Sequence, residues 1–360
     1  MFGGRKLYGY ASSVKRRTGK AYFRQIVEIF QLTCGPLKLG IQEYYELEIF
    51  DDAFYNAERK RDCVGWVASD RIDKKLNLAY WRATANDKVL NYALLKHFGL
   101  KIPETLATYS TKKRRIGSEV VLTNAVELGE FMMKAMPFPV FVKPVHGTYG
   151  RGTFSLVSYD AVTQNFEDAT GKSVPMEVVL AECLKPKYLG MLIQKCLEPH
   201  GEVRRWVGAT TSCVRVIIAL IDGIPCVHFA FWKIARAHNI TDNFHMGSTG
   251  NLLAALNKDT GLIERVVTGL WPSGVSLTHH PDTQHELVGK TLPDWHRAME
   301  ICKAAAICLP GLRLQHWDVA FCSDGPVLME LNTEADLGVP QFLARTPFVD
   351  AKIKQLIENN

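Results

Sequence analysis

The segment 316–332 constrains the fold of this chain more than any other, because two apolar runs that carry acidic and amide side chains flank a turn. It reads HWDVAFCS, then Asp-Gly, then PVLMELN. Side chains two residues apart in a strand point to the same face, so Glu330 and Asn332 share one face. We therefore predict a β-hairpin whose second strand presents these two residues together.

The length of the turn decides whether Asp318 joins them. A two-residue loop at 324–325 pairs Asp318 with Leu331 and sends its carboxylate to the far side of the sheet. A three-residue loop over 323–325, with its glycine in the left-handed conformation, pairs Asp318 with Glu330. We predict the longer loop, which collects the three polar side chains on one face.

Two carboxylates and an amide oxygen form an all-oxygen donor set suited to Mg²⁺, with water and phosphate completing the coordination. The alternative is a hairpin whose polar residues merely face water, which is the commoner fate of such residues. The neighbouring residues 319–321 and 327–329 are apolar on both faces of the strands. Because a buried group of acids needs a cation, we favour the metal site.

Length and composition describe an ordinary globular protein. With 360 residues, the chain has room for two or three domains. Hydrophobic residues make up 47% of it and charged residues 22%, which is typical of a folded, water-facing protein. The net charge of +6 suits an anionic substrate and does not require nucleic acid as a partner.

Cysteine usage and apolar segments bear on the compartment. The nine cysteines are scattered and form no Cys-x-x-Cys pair, which favours a reducing environment with most thiols in the core. The N-terminus has no apolar stretch of a signal peptide. The longest apolar region, 213–232, is interrupted by charged residues, so no transmembrane segment is expected. We expect a cytoplasmic protein.

Residues 1–85 are predicted to form a helical extension, because they contain neither a βαβ repeat nor a glycine-rich fingerprint. Residues 1–25 are basic and contain no acid; they are either a solvated, partly mobile arm or a surface that docks on acidic lipid or a phosphorylated partner. Residues 21–52 have a helical pattern that Gly35-Pro36 interrupts. Its first half carries an apolar stripe, formed by Phe23, Ile26, Val27, Ile29 and Phe30.

The pattern changes near residue 86. Asn86 or Asp87 caps a helix that runs to about His97. Further on, the segment FPVFVKPVHGTYGRGTFSLVS predicts a strand ending at Lys143, a glycine-rich loop and a second strand. The glycines of this loop are Gly147, Gly150 and Gly152.

Glycines let the backbone approach a ligand closely, turned N–H groups form an anion nest, and Lys143 adds a charge beside it. A hairpin loop explains the glycines alone equally well. The order strand, lysine, loop, strand favours phosphate binding. A helix would have to follow the loop in a Walker or dinucleotide motif, and none does.

Three further segments carry candidate site residues. The strand 191–199 contains Gln194, which can face a purine base, with Leu197 packing on the ring; a plain core strand is the alternative. The hairpin 211–236 holds Arg215 and Lys233 within apolar strands, where each needs an anion, either a carboxylate or a phosphate. A polar loop over 241–251 follows.

In this order and at these separations, the motifs resemble the ATP-grasp superfamily over about residues 86–345. The resemblance rests on Asp87-Lys88, on VFVKP with its glycine loop, and on LIQ at 192–194. It also rests on Arg215 and Lys233, on DNFHMG, and on the predicted hairpin 316–332, which we call the acidic hairpin. Two branches are similar: the glutamate ligases that modify a ribosomal protein, and the sugar-transfer-associated ATP-grasp proteins. EYYELEIFDD at 43–52, His200, VRV and WDVAF favour the second branch.

The resemblance implies an α+β, ATP-grasp fold in which two subdomains, 86–192 and 193–360, hold ATP. It implies phosphate contacts from Lys88, Lys143 and the glycine loop. Nucleotide contacts are expected from Gln194, Lys195, Leu197 and Glu202, with Glu202 on the ribose. Asp318, Glu330 and Asn332 are expected to hold one or two Mg²⁺ ions, with Mn²⁺ as an alternative.

The activity that the resemblance implies is an ATP-dependent carboxylate–amine ligase that works through an acyl phosphate. Arg215 and Lys233 are expected to neutralise charge, with Asn243 and His245 nearby, although His245 serves equally well as a loop anchor. The substrates are expected to be a small carboxylate and a small amine, and a homodimer is one arrangement left open. A phosphotransferase and a nucleotide-binding scaffold remain alternatives.

Two departures from the family pattern concern the acceptor. Gly247-Ser248 stands where Gly-Gly is usual, and Thr333-Glu334-Ala335 replaces the Pro-Gly that often follows the metal-binding Asn. Both segments border the expected acceptor pocket. The identity of the acceptor is therefore less determined by the sequence than ATP binding is.

Overall fold

A computed structural model of the chain describes residues 4–117, 119–147 and 150–359. Helices fall mainly in the first hundred residues and around the two sheets that follow. They are α1 Gly4–Thr18, α2 Tyr22–Cys34, α3 Ile41–Glu46, α4 Ala57–Arg61, α5 Trp66–Leu76, α6 Ala79–Asn86, α7 Lys88–His97, α8 Ala125–Lys134, α9 Met176–Cys183, α10 Gly201–Val207, α11 Trp295–Ile307, α12 Gly338–Ala344 and α13 Ala351–Glu358.

The strands begin only after α7. They are β1 Thr105–Tyr109, β2 Val120–Leu122, β3 Val140–Pro144, β4 Phe154–Asp160, β5 Asn165–Asp168, β6 Ser173–Pro175, β7 Met191–Lys195, β8 Cys213–Ile221, β9 Ile224–Ile234, β10 Leu252–Leu256, β11 Ile263–Thr268, β12 Val275–Leu277, β13 Leu314–Cys322 and β14 Gly325–Asn332. They form two seven-stranded sheets, ordered β2-β1-β7-β3-β4-β5-β6 and β12-β11-β10-β9-β8-β13-β14.

The first sheet has α8 and α9 on one side. Its core contains Val140 and Val142 of β3, Ile193 of β7, and Leu128 of α8 and Val179 of α9. The Asn124 side chain accepts a hydrogen bond from the Glu127 backbone N–H and so caps the N-terminus of α8. The predicted strand–loop–strand order around Lys143 is also confirmed, by β3 and β4.

The second sheet is covered differently on its two faces. One face packs on α11, with Trp317, Val319 and Leu331 among the buried residues. Part of the opposite face packs on the N-terminal helices together with α12 and α13, with Ile217 and Phe231 among its buried residues. Asp318 lies on this second face, because side chains alternate along a strand. The N-terminal extension therefore covers the sheet face next to the candidate site.

Most basic side chains of the segment 6–25 are exposed, as predicted for a solvated arm, and the mobility of the arm stays a prediction. Most of the segment lies in α1 and the start of α2. Lys20 is buried and donates hydrogen bonds to Glu28, to Asp52 and to the Phe50 carbonyl. Lys60 donates to the same two carboxylates. Residues 1–3 lie outside the described part.

The register of the acidic hairpin is confirmed, but its cause differs from the prediction. Asp318 pairs with Glu330. The turn contains only Ser323 and Asp324, because Cys322 pairs with Gly325. The extra residue is Met329, a β-bulge that shifts the pairing by one between Leu328 and Glu330. A bulge, and not a longer loop, turns Asp318 and Glu330 to the same face.

The strand β7 bears on the boundary between the subdomains. It pairs with β1 and β3 up to Lys195, so it belongs to the first sheet throughout. We propose that the boundary falls after Lys195 instead of after residue 192. The helical extension, residues 1–85, remains a third unit by element type, although it shares a core with the second sheet.

Replacing Glu28 tests whether the extension is held by its buried ionic network. Glu28→Gln leaves Lys20 and Lys60 to share Asp52, and an uncompensated buried charge is costly. We expect the free energy of unfolding to fall by about 3 kcal/mol in urea denaturation. The exposed Glu58→Gln is the control and should change it by about 0.5 kcal/mol or less. Equal effects of the two substitutions would contradict the structural role of the network.

Candidate functional site

Asp318 is the centre of a buried ionic cluster on the second sheet. Its carboxylate accepts hydrogen bonds from Arg215 Nε at 2.8 Å and Arg215 Nη2 at 2.7 Å. It also accepts from Lys233 Nζ at 3.1 Å and from Asn332 Nδ2 at 3.3 Å. Strand register brings these groups together, because Asp318 pairs directly with Arg215 on β8 and Lys233 lies one strand further on.

Asp242 completes this cluster from the polar loop 241–251. Its carboxylate lies 3.3 Å from Lys233 Nζ and accepts a 2.7 Å hydrogen bond from the Cys213 backbone N–H. Asp242 begins the DNFHMG segment, but the sequence assigned it no role in the site. Its place in the cluster follows from the return of the loop onto β8.

Opposite charges control the ionisation of the cluster. Burial alone raises the pKa of Asp318, but Arg215 and Lys233 outweigh it and hold that pKa well below its usual range. Burial lowers the pKa of Lys233, yet Asp242 and Asp318 raise it above its ordinary value. Arg215 follows the same pattern, and its pKa is raised. Asp318 is therefore ionised at every pH at which the protein is expected to work.

Glu330 is held by a different cation. Its Oε1 lies 3.0 Å from Lys88 Nζ, and Lys88 also donates to the Gly147 carbonyl at 3.1 Å. Lys88 is the first residue of α7, directly after the N-cap Asp87, whose side chain accepts from the Leu90 N–H. The start of α7 therefore connects the acidic hairpin to the glycine-rich loop of the first sheet.

Lys143 is buried, and its ammonium group donates a 2.7 Å hydrogen bond to the neutral Tyr92 hydroxyl. Burial lowers the pKa of Lys143, although Glu330 and Asp318 act to raise it. The Tyr92 hydroxyl in turn donates to the carbonyl of Met329, the bulge residue. Tyr92, which the sequence analysis did not select, thus couples the lysine of the first sheet to the acidic strand of the second.

The glycine loop lies close to the polar loop 241–251 and to Tyr188. Gly150 has a φ of +68°, and a Cβ there would lie 2.7 Å from Asn243 Nδ2. Gly152 has a φ of +72°, and a Cβ there would lie 2.6 Å from the Tyr188 ring. Gly147 has no such conformation, and Thr148 and Tyr149 lie outside the described residues. Larger residues at 150 and 152 would push this loop away from Asn243 and Tyr188.

An apolar surface continues the sheet face beside Asp318. Leu197 and Met329 pack there against Cys213, Ala320 and Cys322. These residues follow Asp318 and Arg215 along the same face, so a charged zone adjoins a flat zone of small side chains. The arrangement suits a ligand with an anionic part and a planar apolar part.

Four residues that the sequence predicted for the site differ in burial and in their contacts. Gln194 is buried and donates to Thr105 Oγ1 at 3.1 Å. The Lys195 side chain is exposed, and its backbone N–H donates to the Glu104 carbonyl. Glu202 is exposed on α10, near Arg205. His245 is exposed on its loop.

The site carries more positive than negative charge. Its four cations are Lys88, Lys143, Arg215 and Lys233, and its three acids are Asp242, Asp318 and Glu330. Burial raises the pKa of Asp242, which weakens its negative charge. A buried excess of positive charge favours an anionic ligand.

Cations of the protein already balance Asp318 and Glu330, so the argument that these acids require a metal does not hold by itself. Among residues 4–117, 119–147 and 150–359, no three His, Cys, Asp or Glu side chains cluster as a metal site. The donor set nevertheless fits Mg²⁺, because two carboxylates and the Asn332 amide share one face of the hairpin.

Unpaired polar atoms mark the place where the chain leaves Asn332. Within the described part of the chain, Thr333 Oγ1, Arg82 Nε and Asp73 Oδ2 are buried and have no hydrogen-bond partner. Arg82 Nη1 donates to Glu334 at 2.6 Å, which places these groups around the end of β14. Buried polar atoms are rarely left unpaired, so this is a second candidate contact region for a polar ligand.

Comparison with known proteins identifies the family. The model of the sugar-transfer associated ATP-grasp family matches residues 68–354, so the chain belongs to this family. This confirms the predicted α+β, ATP-grasp fold and the branch that the sequence favoured. No curated protein matches the chain. No helix of the described residues is long and apolar enough to cross a membrane.

Solved structures resemble the chain only with low TM-scores and low sequence identity. VanG D-Ala:D-Ser ligase from Enterococcus faecalis is 12% identical, with 77% of this chain and 61% of that chain covered and a TM-score of 0.42. An L-amino acid ligase from Bacillus licheniformis is 10% identical, with 77% and 51% covered and a TM-score of 0.43.

The biotin carboxylase domain of the Hydrogenobacter thermophilus 2-oxoglutarate carboxylase, in complex with MgADP, ADP and bicarbonate, is 14% identical. In this comparison 77% of this chain and 45% of that chain are covered, with a TM-score of 0.40. The chain thus spans about half to two thirds of the length of the structures it resembles.

The buried acid Asp73 gives a test of the unpaired region. Burial raises the pKa of Asp73 to about 6, so its ionised form destabilises the fold at neutral pH. This penalty is absent below the unfolded pKa, grows between about pH 4 and pH 6, and is complete above pH 6.

We expect Asp73→Asn to raise the free energy of unfolding at pH 7.5 by up to about 3 kcal/mol, and the gain to vanish at about pH 4. Urea denaturation at several pH values measures it, with Asp70→Asn, at a partly exposed position, as a control. A gain that is the same at every pH would show that the ionisation of Asp73 is not its source.

Proposed function

We propose that the protein is an ATP-dependent carboxylate–amine ligase. The observation that carries the proposal is Lys143, a buried ammonium group whose hydrogen-bond partner is a neutral phenol and which faces an acidic strand across the interface between the sheets. A buried cation in that position needs an anion, and the triphosphate of ATP supplies one. Family membership supports the same ligand.

The nucleotide would lie between the two sheets. Lys88, Lys143 and the loop with Gly147, Gly150 and Gly152 would contact its phosphates, because Lys88 bridges Gly147 of this loop and Glu330. Leu197 and the apolar surface beside Asp318 would receive the adenine ring. Gln194 and the backbone at Lys195 would meet its polar edge, and the exposed Glu202 would reach the ribose.

Asp318, Glu330 and Asn332 would hold Mg²⁺, or Mn²⁺ in its place, and one or two ions would fit the proposal. When bound, such an ion neutralises phosphate charge and polarises the transferred phosphoryl group. Binding would exchange partners: the carboxylates that now pair with Arg215, Lys233 and Lys88 would turn to the metal, and these cations would turn to phosphate oxygens.

The proposed reaction has two steps. A carboxylate oxygen of the substrate attacks the γ-phosphorus of ATP, the bond to the β–γ bridging oxygen breaks, and ADP leaves with that electron pair. The nitrogen of an amine then attacks the carbonyl carbon of the acyl phosphate; phosphate leaves, and the nitrogen loses a proton as the amide forms.

The residues of the site contribute by positioning and charge. Arg215 presents a planar guanidinium on the face that carries the acids, where it would stabilise the acyl phosphate and the departing phosphate. Lys233 would neutralise the same oxygens and is kept protonated by Asp242 and Asp318. Asn243 stands against the glycine loop and would help to close it, whereas His245 would act from the loop edge.

The acceptor would bind where the chain leaves Asn332. Thr333, Arg82 and Asp73 offer buried polar atoms without partners there, and Arg82 adds a cation. This set suits a small polar acceptor that carries a carboxylate, such as an amino acid, a peptide or a sugar acid. A hydroxyl acceptor would make the protein a phosphotransferase, since Arg215 and Lys233 would serve transfer to either group.

Product analysis tests the proposal. We expect the protein with Mg²⁺ and ATP to release ADP and free phosphate only when both a carboxylate and an amine are supplied, in a mass-spectrometric screen of amino acids and uronic acids. A phosphorylated hydroxyl compound without free phosphate would establish the phosphotransferase instead. Binding of ATP without any turnover across the screen would oppose both enzymes.

The same assay applies to variants. Lys143→Ala and Glu330→Ala should lower turnover by about a hundredfold or more while the fold persists, because each removes a charge from the phosphate or metal site. Lys134→Ala and Glu130→Ala, an exposed pair on α8, are matched controls and should be unaffected. Normal turnover in either site variant would remove that residue from the mechanism.

ATP binding should also depend on pH through Lys143. Its protonated form is the one that attracts phosphate, and its pKa in the free protein is lowered by burial. We expect ATP affinity, measured by calorimetry, to decline as pH rises towards 10, earlier than an ordinary lysine would allow. Lys143→Met should bind ATP weakly and lose this component of the pH dependence; an unchanged profile would contradict the role of Lys143.

A further inference from the structure

The helix α2 is oriented with its apolar stripe outward. Phe23, Ile26 and Phe30 are 78%, 63% and 68% exposed. Their spacing of three and four residues places them on one face of the helix. The buried residues of α2 include Gln25 as well as Leu32. Phe23, Ile26 and Phe30 of the predicted stripe therefore face outward, whereas Ile29 packs against the core of the extension.

Polar contacts fix this orientation. Gln25 Nε2 donates to the carbonyls of Ala11 and Lys20, and Gln25 Oε1 accepts from the Tyr45 hydroxyl. Glu28, one turn further, binds both buried lysines of the extension. Rolling α2 to bury its phenylalanines would leave these groups unsatisfied, so the apolar face is held outward by the same network that stabilises the extension.

Residues of α1 extend the exposed face. The Tyr8 ring stacks on Tyr22 with centroids 6.2 Å apart, and Tyr8 is 68% exposed. Lys15 Nζ lies 4.9 Å from the Tyr22 ring centroid. We call the surface formed by Tyr8, Lys15, Arg16, Phe23, Ile26 and Phe30 the α1–α2 face.

The charge beside this face is positive. Residues 1–27 contain seven Lys and Arg residues and no acid. Arg17, Lys20 and Arg24 pair with carboxylates. Lys15 and Arg16 are exposed and pair with no carboxylate in the described part of the chain, where Arg16 donates only to two serine hydroxyls.

We propose that the α1–α2 face docks the protein on an anionic lipid bilayer. Exposed phenylalanines on one helix face, tyrosines beside them and cations without acidic partners are the features of a helix that lies in a membrane interface. A second copy of the chain is a poorer occupant, because a symmetric contact through this face would bring Lys15 and Arg16 of both copies together. Docking would hold the candidate site near the membrane, and none of the residues of that site takes part in it.

Sedimentation of the full chain with lipid vesicles tests the proposal. We expect binding to vesicles of phosphatidylcholine mixed with phosphatidylserine, weaker binding to phosphatidylcholine alone, and loss of binding as salt rises. Phe23→Ser with Phe30→Ser should lower the partition coefficient about tenfold or more, and Lys15→Glu with Arg16→Glu should do the same.

Matched controls separate this face from general effects. Val126→Ser with Val162→Ser removes side chains that are 70% and 92% exposed elsewhere, and Lys303→Glu with Lys354→Glu reverses two exposed charges elsewhere. Both should bind vesicles as the parent protein does. Thermal unfolding and ATP turnover should be unchanged in all four double variants, so failure here is distinct from failure of the ligase proposal.

Three results would overturn the proposal. The parent protein could fail to sediment with phosphatidylserine vesicles, or the control variants could lose binding as fully as the α1–α2 variants. Sedimentation velocity could also show that the phenylalanines mediate self-association of a chain that does not bind vesicles, which would assign the face to a second copy.

Discussion

The ion pair between Asp318 and Arg215 is the interaction on which the candidate site depends. Both groups are carried by adjacent strands of one sheet, and their bidentate contact fixes the carboxylate beside Lys233 and Asn332. A pair buried in this way is costly to desolvate and stabilises the fold little by comparison with apolar residues. Its value lies in holding charge in one place, where an anionic ligand and a metal can exchange partners with it.

Two lines of contact join the sheets to this pair. The first runs from Lys88 on α7 to Glu330 and to the Gly147 carbonyl. The second runs from Lys143 through the Tyr92 hydroxyl to the backbone of the bulge at Met329. Movement of the glycine loop would therefore also displace the acidic strand β14, because α7 contacts both. The helix α7 thus connects the two sheets across the proposed nucleotide site.

The N-terminal extension has an inner side that borders the candidate site and an outer side that faces away from it. Its inner side covers part of the sheet face beside Asp318 and contributes Asp73 and Arg82 to the region after Asn332. Its outer side carries the apolar stripe of α2. Both sides depend on the polar network around Glu28, because that network fixes how α2 is rotated about its own axis. The sequence pattern predicted the helix, but an apolar stripe alone does not reveal which side meets the core.

The sequence by itself determined the elements and the chemistry: the cap at Asp87, the strand that carries Lys143, and the shared face of Glu330 and Asn332, all of which follow from local spacing. The tertiary structure decided the features that local spacing in the sequence does not encode. Asp242 and Tyr92 join the site through chain return and packing, Met329 forms a bulge where a longer turn was predicted, and Lys20 of the basic segment is buried in an ionic network with Glu28 and Asp52. Contacts between distant residues are the physical reason for each of these differences.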